Sequence, residues 1–411
     1  MGKVLELSER LWTGQVSTEE HNPVMSYVGL EALSDELAFV CAFGNVTAIH
    51  TDEGLVVIDT GGSLVGRIIV KALREWNEKL VHTVVYTHGH VDHVCGVSAF
   101  QEDAQARKNP NFTVIGHERV AARFERYRST AGYNATINAR QFGVNRSFWP
   151  REFRDPDVAM DKSYTLSVGG ETIELNHDRG ETDDHLWVWW EKKRVLCTGD
   201  LFIWASPNCG NPQKAQRYPR EWALALRKMA ALQPEVMLPG HGPPILGEDR
   251  IGKALNDTAS LLETLFEQVL VMMNDGAALN DILHSVTYPE ELLEQPYLRP
   301  VYDEPSFIVR NIWRLYGGWY DGNPARLKPP EDKILAEAVA NAAGGQKALI
   351  VAAEKYLSDE SLELACQFAE WAYLVEPNDL STAIRRKVYG ARVERETSLM
   401  AKGIFGHAAK E

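Results

Sequence analysis

The fold that the sequence predicts is an α/β unit of two β-sheets packed face to face under outer helices, followed by an all-α region. Three observations carry this. Up to about residue 247, short apolar runs alternate with turn residues and a few helical stretches. From Glu248 onward nearly every segment has helical apolar spacing. Several of the early runs end on a histidine or an aspartate, as strands bordering a crevice do.

Taken in order, the predicted strands are ELAFVCAF (36–43), VTAIHT (46–51), GLVVIDT (54–60), TVVYT (83–87), FTVIG (112–116), ETIEL (171–175), HLWVWW (185–190), RVLCTG (194–199) and VMLPG (236–240). Their β-branched and aromatic content sets them apart from the helical stretches at 63–78, 117–128 and 219–232. Trp187, Trp189 and Trp190 follow strand alternation and read as sheet packing. The stretch EDRIGKALNDTASLLETLFEQVLVMMNDG then runs as an amphipathic helix to a glycine stop at Gly276. Two domains are expected, residues 1–247 and an all-α domain at 248–411.

The chain has 411 residues, 45% hydrophobic and 24% charged, with a net charge of −14. That charge argues against nucleic-acid binding through a basic face. No apolar run is long enough to span a bilayer, and the N-terminus lacks a signal-peptide core. Cys41, Cys95, Cys197, Cys209 and Cys366 form no CxxC and read as reduced thiols of a cytoplasmic protein without stable membrane association.

The chemistry concentrates in YTHGHVDHVCG (86–96), where His88, His90, Asp92 and His93 follow an apolar run. Imidazole and carboxylate are the donors that zinc and similar ions take, and four in one loop suggest two ions. Partners come from other strand ends: Asp59 in GLVVIDTG, suited to orienting the histidine loop from behind, Asp200 in VLCTGD and His241 in VMLPGHG.

The ordered set Asp59, THGHVDH, Asp200 and His241 resembles the metallo-β-lactamase superfamily. That resemblance implies an αββα sandwich with one or two metals at the open sheet edge. In the family's third motif a histidine is usual, whereas DRGETDDHLWVWW has Glu181 there and His185 later. Class III alkylsulfatases, the dodecyl-sulfate hydrolase group, show this replacement and the same spacing to the bridging carboxylate. They bridge with a glutamate, where this chain has Asp200. IVRNIWRLYGGWYDGNPARLKP (308–329) is similar to their dimerisation signature, while their C-terminal sterol-carrier-like domain has no counterpart here.

The resemblance implies that His88, His90 and Glu181 hold one divalent ion and that Asp92, His93 and His241 hold the other. Asp200 would bridge them, with His185 hydrogen-bonding around the ligands. Zinc is the expected metal. Manganese and iron are alternatives because Glu181 adds a hard oxygen donor. Lys214 and Arg217, in NPQKAQRYPREW (211–222), fall where alkylsulfatases carry sulfate-binding arginines. Tyr133 and Asn134, in AGYNATINARQFG, are similar to that family's substrate loop. Asp92, Asp200, Lys214 and Arg217 are the expected catalytic groups.

The implied activity is hydrolysis of a small anionic alkyl sulfate ester to alcohol and sulfate by a homodimer, with a water activated between the ions. Hydrolysis of a carboxylic ester, lactone, thioester or phosphoester on the same site is the alternative.

Overall fold

The computed structural model describes residues 2–22, 29–109, 111–145 and 148–411. They fall into two compact units, one of residues 1–131, 150–277 and 281–318, the other of 132–149, 278–280 and 319–411.

The first unit is built on two sheets. One holds β1 (Gly29–Ala32), β2 (Leu37–Cys41), β3 (Val46–Thr51), β4 (Gly54–Ile58), β5 (Val81–Val85), β6 (Thr113–His117) and β7 (Val158–Met160), side by side in that order. It is antiparallel through β4 and parallel from β4 to β7. The other sheet runs in the order β13 (Ile245–Leu246), β12 (Val236–His241), β11 (Val195–Ile203), β10 (Leu186–Trp190), β9 (Glu171–His177), β8 (Ser163–Val168). Its one parallel pair is β11 with β12.

Period-two alternation sorts the side chains of each strand. In β4, Val56 and Ile58 join the layer between the sheets, with Phe39, Val85 and Ile115 on one side and Leu175, Val188 and Leu238 on the other. Leu55 and Val57 point outward and meet Ile69 and Leu73 of α2 (Gly66–Trp76). Phe100 and Phe124 complete that outer layer from α4 (Val97–Ala106) and α5 (Val120–Ser129), which follow the short α3 (Val91–Val94). In β10, Trp190 lies between the sheets while Trp187 and Trp189 face the opposite helical layer, the packing expected of them.

That opposite layer consists of α1 (Lys3–Trp12), α7 (Pro219–Ala231), α8 (Glu248–Asn274) and α11 (Pro305–Gly317). Leu255, Leu261, Leu262, Leu265 and Val269 of α8 are fully buried in the same cluster as Trp187, Leu196 and Met237. Each such side chain contributes about 1.5–3 kcal/mol of burial. The change in character at Glu248 is therefore the start of an outer helix of the sandwich, and the division between compact units lies elsewhere than at 247/248. Between α8 and α11 the chain makes α9 (Leu279–Ser285) and α10 (Glu290–Leu293).

The second unit contains most of α6 (Ala131–Gln141) and α12 (Asp332–Ala343), α13 (Gln346–Ser358), α14 (Leu362–Val375), α15 (Asp379–Arg395) and α16 (Leu399–Ala408). Its core uses small side chains, including Ala340, Ala353, Ala365, Ala369 and Ala372, together with Leu349 and Val388. Among the described residues no helix is long and apolar enough to cross a membrane.

Candidate metal centre

The parallel strands of both sheets bring polar residues to one edge. Asp59 follows β4, and His88 and His90 follow β5, with Asp92 and His93 on α3. Asp200 lies in β11 and His241 ends β12, while Glu181 and His185 sit in the connection from β9 to β10. The β11–β12 register shifts between Cys197 and Ile203, where Asp200 leaves the regular ladder. Two glycines allow this crowding. A Cβ on Gly199, which has φ +49°, would stand 2.8 Å from the His185 ring, and one on Gly240 would stand 2.0 Å from Asp200 Oδ1.

The donor atoms form two groups: His88, His90, Glu181 and Asp200, then Asp92, His93 and His241. Glu181 Oε2 is 3.2 Å from His90 Nδ1 and 3.6 Å from His88 Nε2. Asp92 Oδ2 is 3.6 Å from His93 Nε2 and 3.4 Å from His241 Nε2. Asp200 stands between the groups, with Oδ1 3.2 Å from His93 Nε2 and Oδ2 3.3 Å from His241 Nε2 and 3.6 Å from His88 Nε2.

Two donors each about 2.0–2.2 Å from one ion at a tetrahedral angle stand about 3.4 Å apart. His88 Nε2, His93 Nε2, Glu181 Oε2 and Asp200 Oδ1 are buried and have no hydrogen-bond partner among the described residues. Buried polar atoms are rarely left so, and four converging on one space fit cation ligands.

The ligands are held from behind. Asp59 has φ 58°, a left-handed conformation that side chains other than glycine rarely adopt. Its Oδ1 accepts from Thr87 N at 2.7 Å, and its Oδ2 accepts from Thr87 Oγ1 at 2.7 Å and pairs with His93 Nδ1 at 2.8 Å. A carboxylate in this position fixes the ring orientation and tautomer of a histidine. His185 Nε2 accepts from Asp200 N at 3.0 Å, so His185 fixes the backbone of a candidate donor. Asp184 Oδ2 accepts from Gly89 N at 3.1 Å, between the two loop histidines, and is itself paired with Arg123 Nε at 2.8 Å.

Electrostatics reflects the crowding. Burial, helped by neighbouring imidazoles, holds His88 well below the ordinary imidazole value. Burial and the nearby Arg217 charge do the same to His90. Burial also opposes charge on His93 and His241, but surrounding carboxylates, Asp200 foremost, outweigh it and raise both. Burial raises Glu181 well above the carboxylate range against the pull of Arg217. Asp200, despite burial, is held low by His241 and His93. The carboxylates that draw protons onto His93 and His241 offer the same attraction to a metal cation.

The expected substrate contacts fare differently. Arg217 is buried, with Nη1 donating to Glu181 O at 2.6 Å and Nη2 3.4 Å from Glu181 Oε1, so its guanidinium is engaged with a ligand residue. Lys214 is half-buried, and burial together with Arg217 pushes its amine down to about 8. Tyr133 and Asn134 lie on α6 in the second unit, Tyr133 exposed and Asn134 buried.

Sequence reasoning missed Asn208, whose Nδ2 donates to Glu181 Oε1, along with Arg123, Asp184 and Asn311. The doublet Asp183–Asp184 beside Glu181 was a usable signal for one of them. Asn311 lies far along the chain and had none.

Comparisons with known proteins identify two families in this chain. The metallo-beta-lactamase superfamily matches residues 40–241 and the alkyl sulfatase dimerisation family matches residues 278–411. A linear primary-alkylsulfatase of Pseudomonas sp. is 27% identical over 355 residues, 80% of this chain and 66% of that protein. An (R)-specific secondary-alkylsulfatase of Pseudomonas sp. is 28% identical over 333 residues, 74% of this chain and 50% of that protein. The solved structure of the stereoselective inverting sec-alkylsulfatase Pisa1 from Pseudomonas sp. shares the fold, with a TM-score of 0.84 at 22% identity, over 93% of this chain and 65% of that one. This chain thus spans between half and two thirds of these relatives' length. It joins a metallo-beta-lactamase superfamily domain to an alkyl sulfatase dimerisation domain and is homologous to the Pseudomonas alkylsulfatases.

Proposed function

We propose that the protein is a dinuclear metal-dependent hydrolase that cleaves alkyl sulfate esters to alcohol and sulfate. The single observation that carries the metal reading is the set of seven donors in two groups around Asp200, several of them buried without a partner. The relatives' names supply the substrate class. His88, His90 and Glu181 would hold one divalent ion and Asp92, His93 and His241 the other, with Asp200 common to both. Zinc suits the nitrogen-rich set. When bound, the ions supply Lewis acidity and lower the pKa of water toward neutrality.

The chain's own groups do the rest. Asp92 and Asp200 face the shared space and can orient the protons of that water. Lys214 supplies a point charge for the sulfate group, and the buried Arg217 Nε, which has no partner among the described residues, is a second donor for it. The protein acts in the cytoplasm as a homodimer assembled through the 278–411 region, so light scattering should give twice the chain mass.

The deciding experiment is metal analysis of the purified protein followed by a panel of sulfate, phosphate and carboxylic esters. Close to two ions per chain and turnover of an alkyl sulfate are expected. Hydrolysis in heavy-oxygen water should label the alcohol, as C–O cleavage requires, and label in the sulfate would mean attack at sulfur. Turnover of a lactone or carboxylic ester with every sulfate ester inert would move the assignment to the alternative.

A further inference from the structure

Glu181 presents a charged group with two oxygens where an imidazole would present one neutral nitrogen. Its two oxygens are in different situations. Oε1 accepts from Asn208 Nδ2 and lies 3.4 Å from Arg217 Nη2. Oε2 has no hydrogen-bond partner among the described residues and faces His90 Nδ1 at 3.2 Å and His88 Nε2 at 3.6 Å. Arg217 brackets the residue, because Nη1 also donates to the Glu181 carbonyl at 2.6 Å.

Arg217 is fixed in turn by α11. Its backbone N donates to Asn311 Oδ1 at 3.3 Å, and its carbonyl accepts from Asn311 Nδ2 at 3.2 Å. Gln216 Nε2 donates to the same Asn311 Oδ1 at 2.7 Å. The loop is pinned a second time where Gly210 N donates to Asp303 Oδ2 at 2.5 Å, just before α11.

We propose that Asn208 and Arg217, the latter held by Asn311, are positioning residues that make Glu181 a one-oxygen, charge-compensated donor. With Oε1 hydrogen-bonded to Asn208 and ion-paired with Arg217, only Oε2 is open to an ion. The guanidinium offsets the carboxylate's charge, so the pair approaches the neutral single-atom donation of a histidine. Hydrogen bonding around a ligand sets its orientation and basicity, and losing such a contact typically costs about 10- to 100-fold in metal affinity. The proposal rests on the metal reading above, and it gives Arg217 a task completed before any substrate arrives.

The test uses full-length protein loaded with cobalt(II), without substrate. The readouts are the visible ligand-field absorption and metal affinity by chelator competition. Asn208→Ala and Arg217→Met should free Oε1 for the ion, raise the oxygen coordination and weaken the absorption. Loss of the fixed carboxylate orientation outweighs the gain in donor strength, so they should also lower affinity for one of the two ions by about 10- to 100-fold while leaving the other unchanged. Asn311→Ala should shift both readouts the same way by less, since it acts through Arg217. Arg217→Lys keeps the charge but cannot bracket carbonyl and carboxylate together. It should also weaken the absorption and stands in should Arg217→Met not fold. Unchanged absorption and affinity in Asn208→Ala and Arg217→Lys would overturn the proposal, whatever happens to turnover. Wild-type protein that binds no cobalt would instead sink the metal reading beneath it.

Discussion

The two donor groups of the candidate centre are backed by charges of opposite sign. Behind His93, whose imidazole is neutral once it holds a cation, stands the carboxylate of Asp59, at 2.8 Å. Beside Glu181, anionic once it holds a cation, stands the guanidinium of Arg217, at 3.4 Å. Each backing charge moves its ligand toward the other kind: a carboxylate makes imidazole a stronger donor, and a guanidinium makes carboxylate a weaker one. The compensation is incomplete. Glu181 and Arg217 cancel, whereas Asp92 and Asp59 add. The Asp92 group therefore offers the more negative surroundings to a cation.

The comparison is broken most drastically at the residue both groups share. Asp200→Ala should lose both ions and all hydrolysis, measured by metal analysis after gel filtration, and retention of one tight ion would show that the groups bind independently of it. Next comes Lys214, within electrostatic reach of both Asp92 and Glu181. Lys214→Met should lower turnover of an alkyl sulfate by about 100- to 1,000-fold, the usual cost of a lost charge-stabilising donor. Because its amine is pushed down to about 8, Lys214 is charged below that pH and neutral above it. Activity should fall as pH rises through about 8, and Lys214→Arg should remove that fall.

Asp59→Asn keeps the shape and tolerates the left-handed backbone but removes the charge behind His93. Affinity for one ion should drop by about 10- to 100-fold in chelator titrations. The smallest effect concerns order. Mild chelation should strip the His88 group first, so the ion remaining in His241→Ala should leave more readily than the one remaining in His88→Ala. Reversal of that order would mean that ligand geometry outweighs the charge difference.

The strands that carry ligands were legible because buried strands read as apolar runs, and GLVVID, VLCTGD and VMLPGH end on conspicuous residues. Short edge strands such as β1, β7 and β13 bury too little to leave such a trace. The strand SYTLSV and the helix VSAFQEDAQA have apolar positions too sparse to stand out from a turn. The apolar face of α8 was visible, but which sheet it covers is a tertiary fact, and so the expected boundary at 247 cut through a core. The grouping of the ligands came from family resemblance. Asn208, Asn311 and Arg123 were not legible as site residues, because a polar side chain shows its purpose only once folding has buried it, whereas Asp184 had a trace in the doublet beside Glu181.

The seven donors come from both layers of the sandwich: the histidine loop from the sheet of β5, and Asp200 and His241 from the sheet of β11 and β12. A bound ion is therefore also a tie across the open edge, one closing a loop of more than a hundred residues between His93 and His241. Such a cross-brace stiffens the crevice mouth and couples its opening to metal occupancy. Anything that binds the folded state alone raises its melting temperature with concentration. On the proposed metal reading, the metal supply would then set mechanical integrity at that edge as well as reactivity.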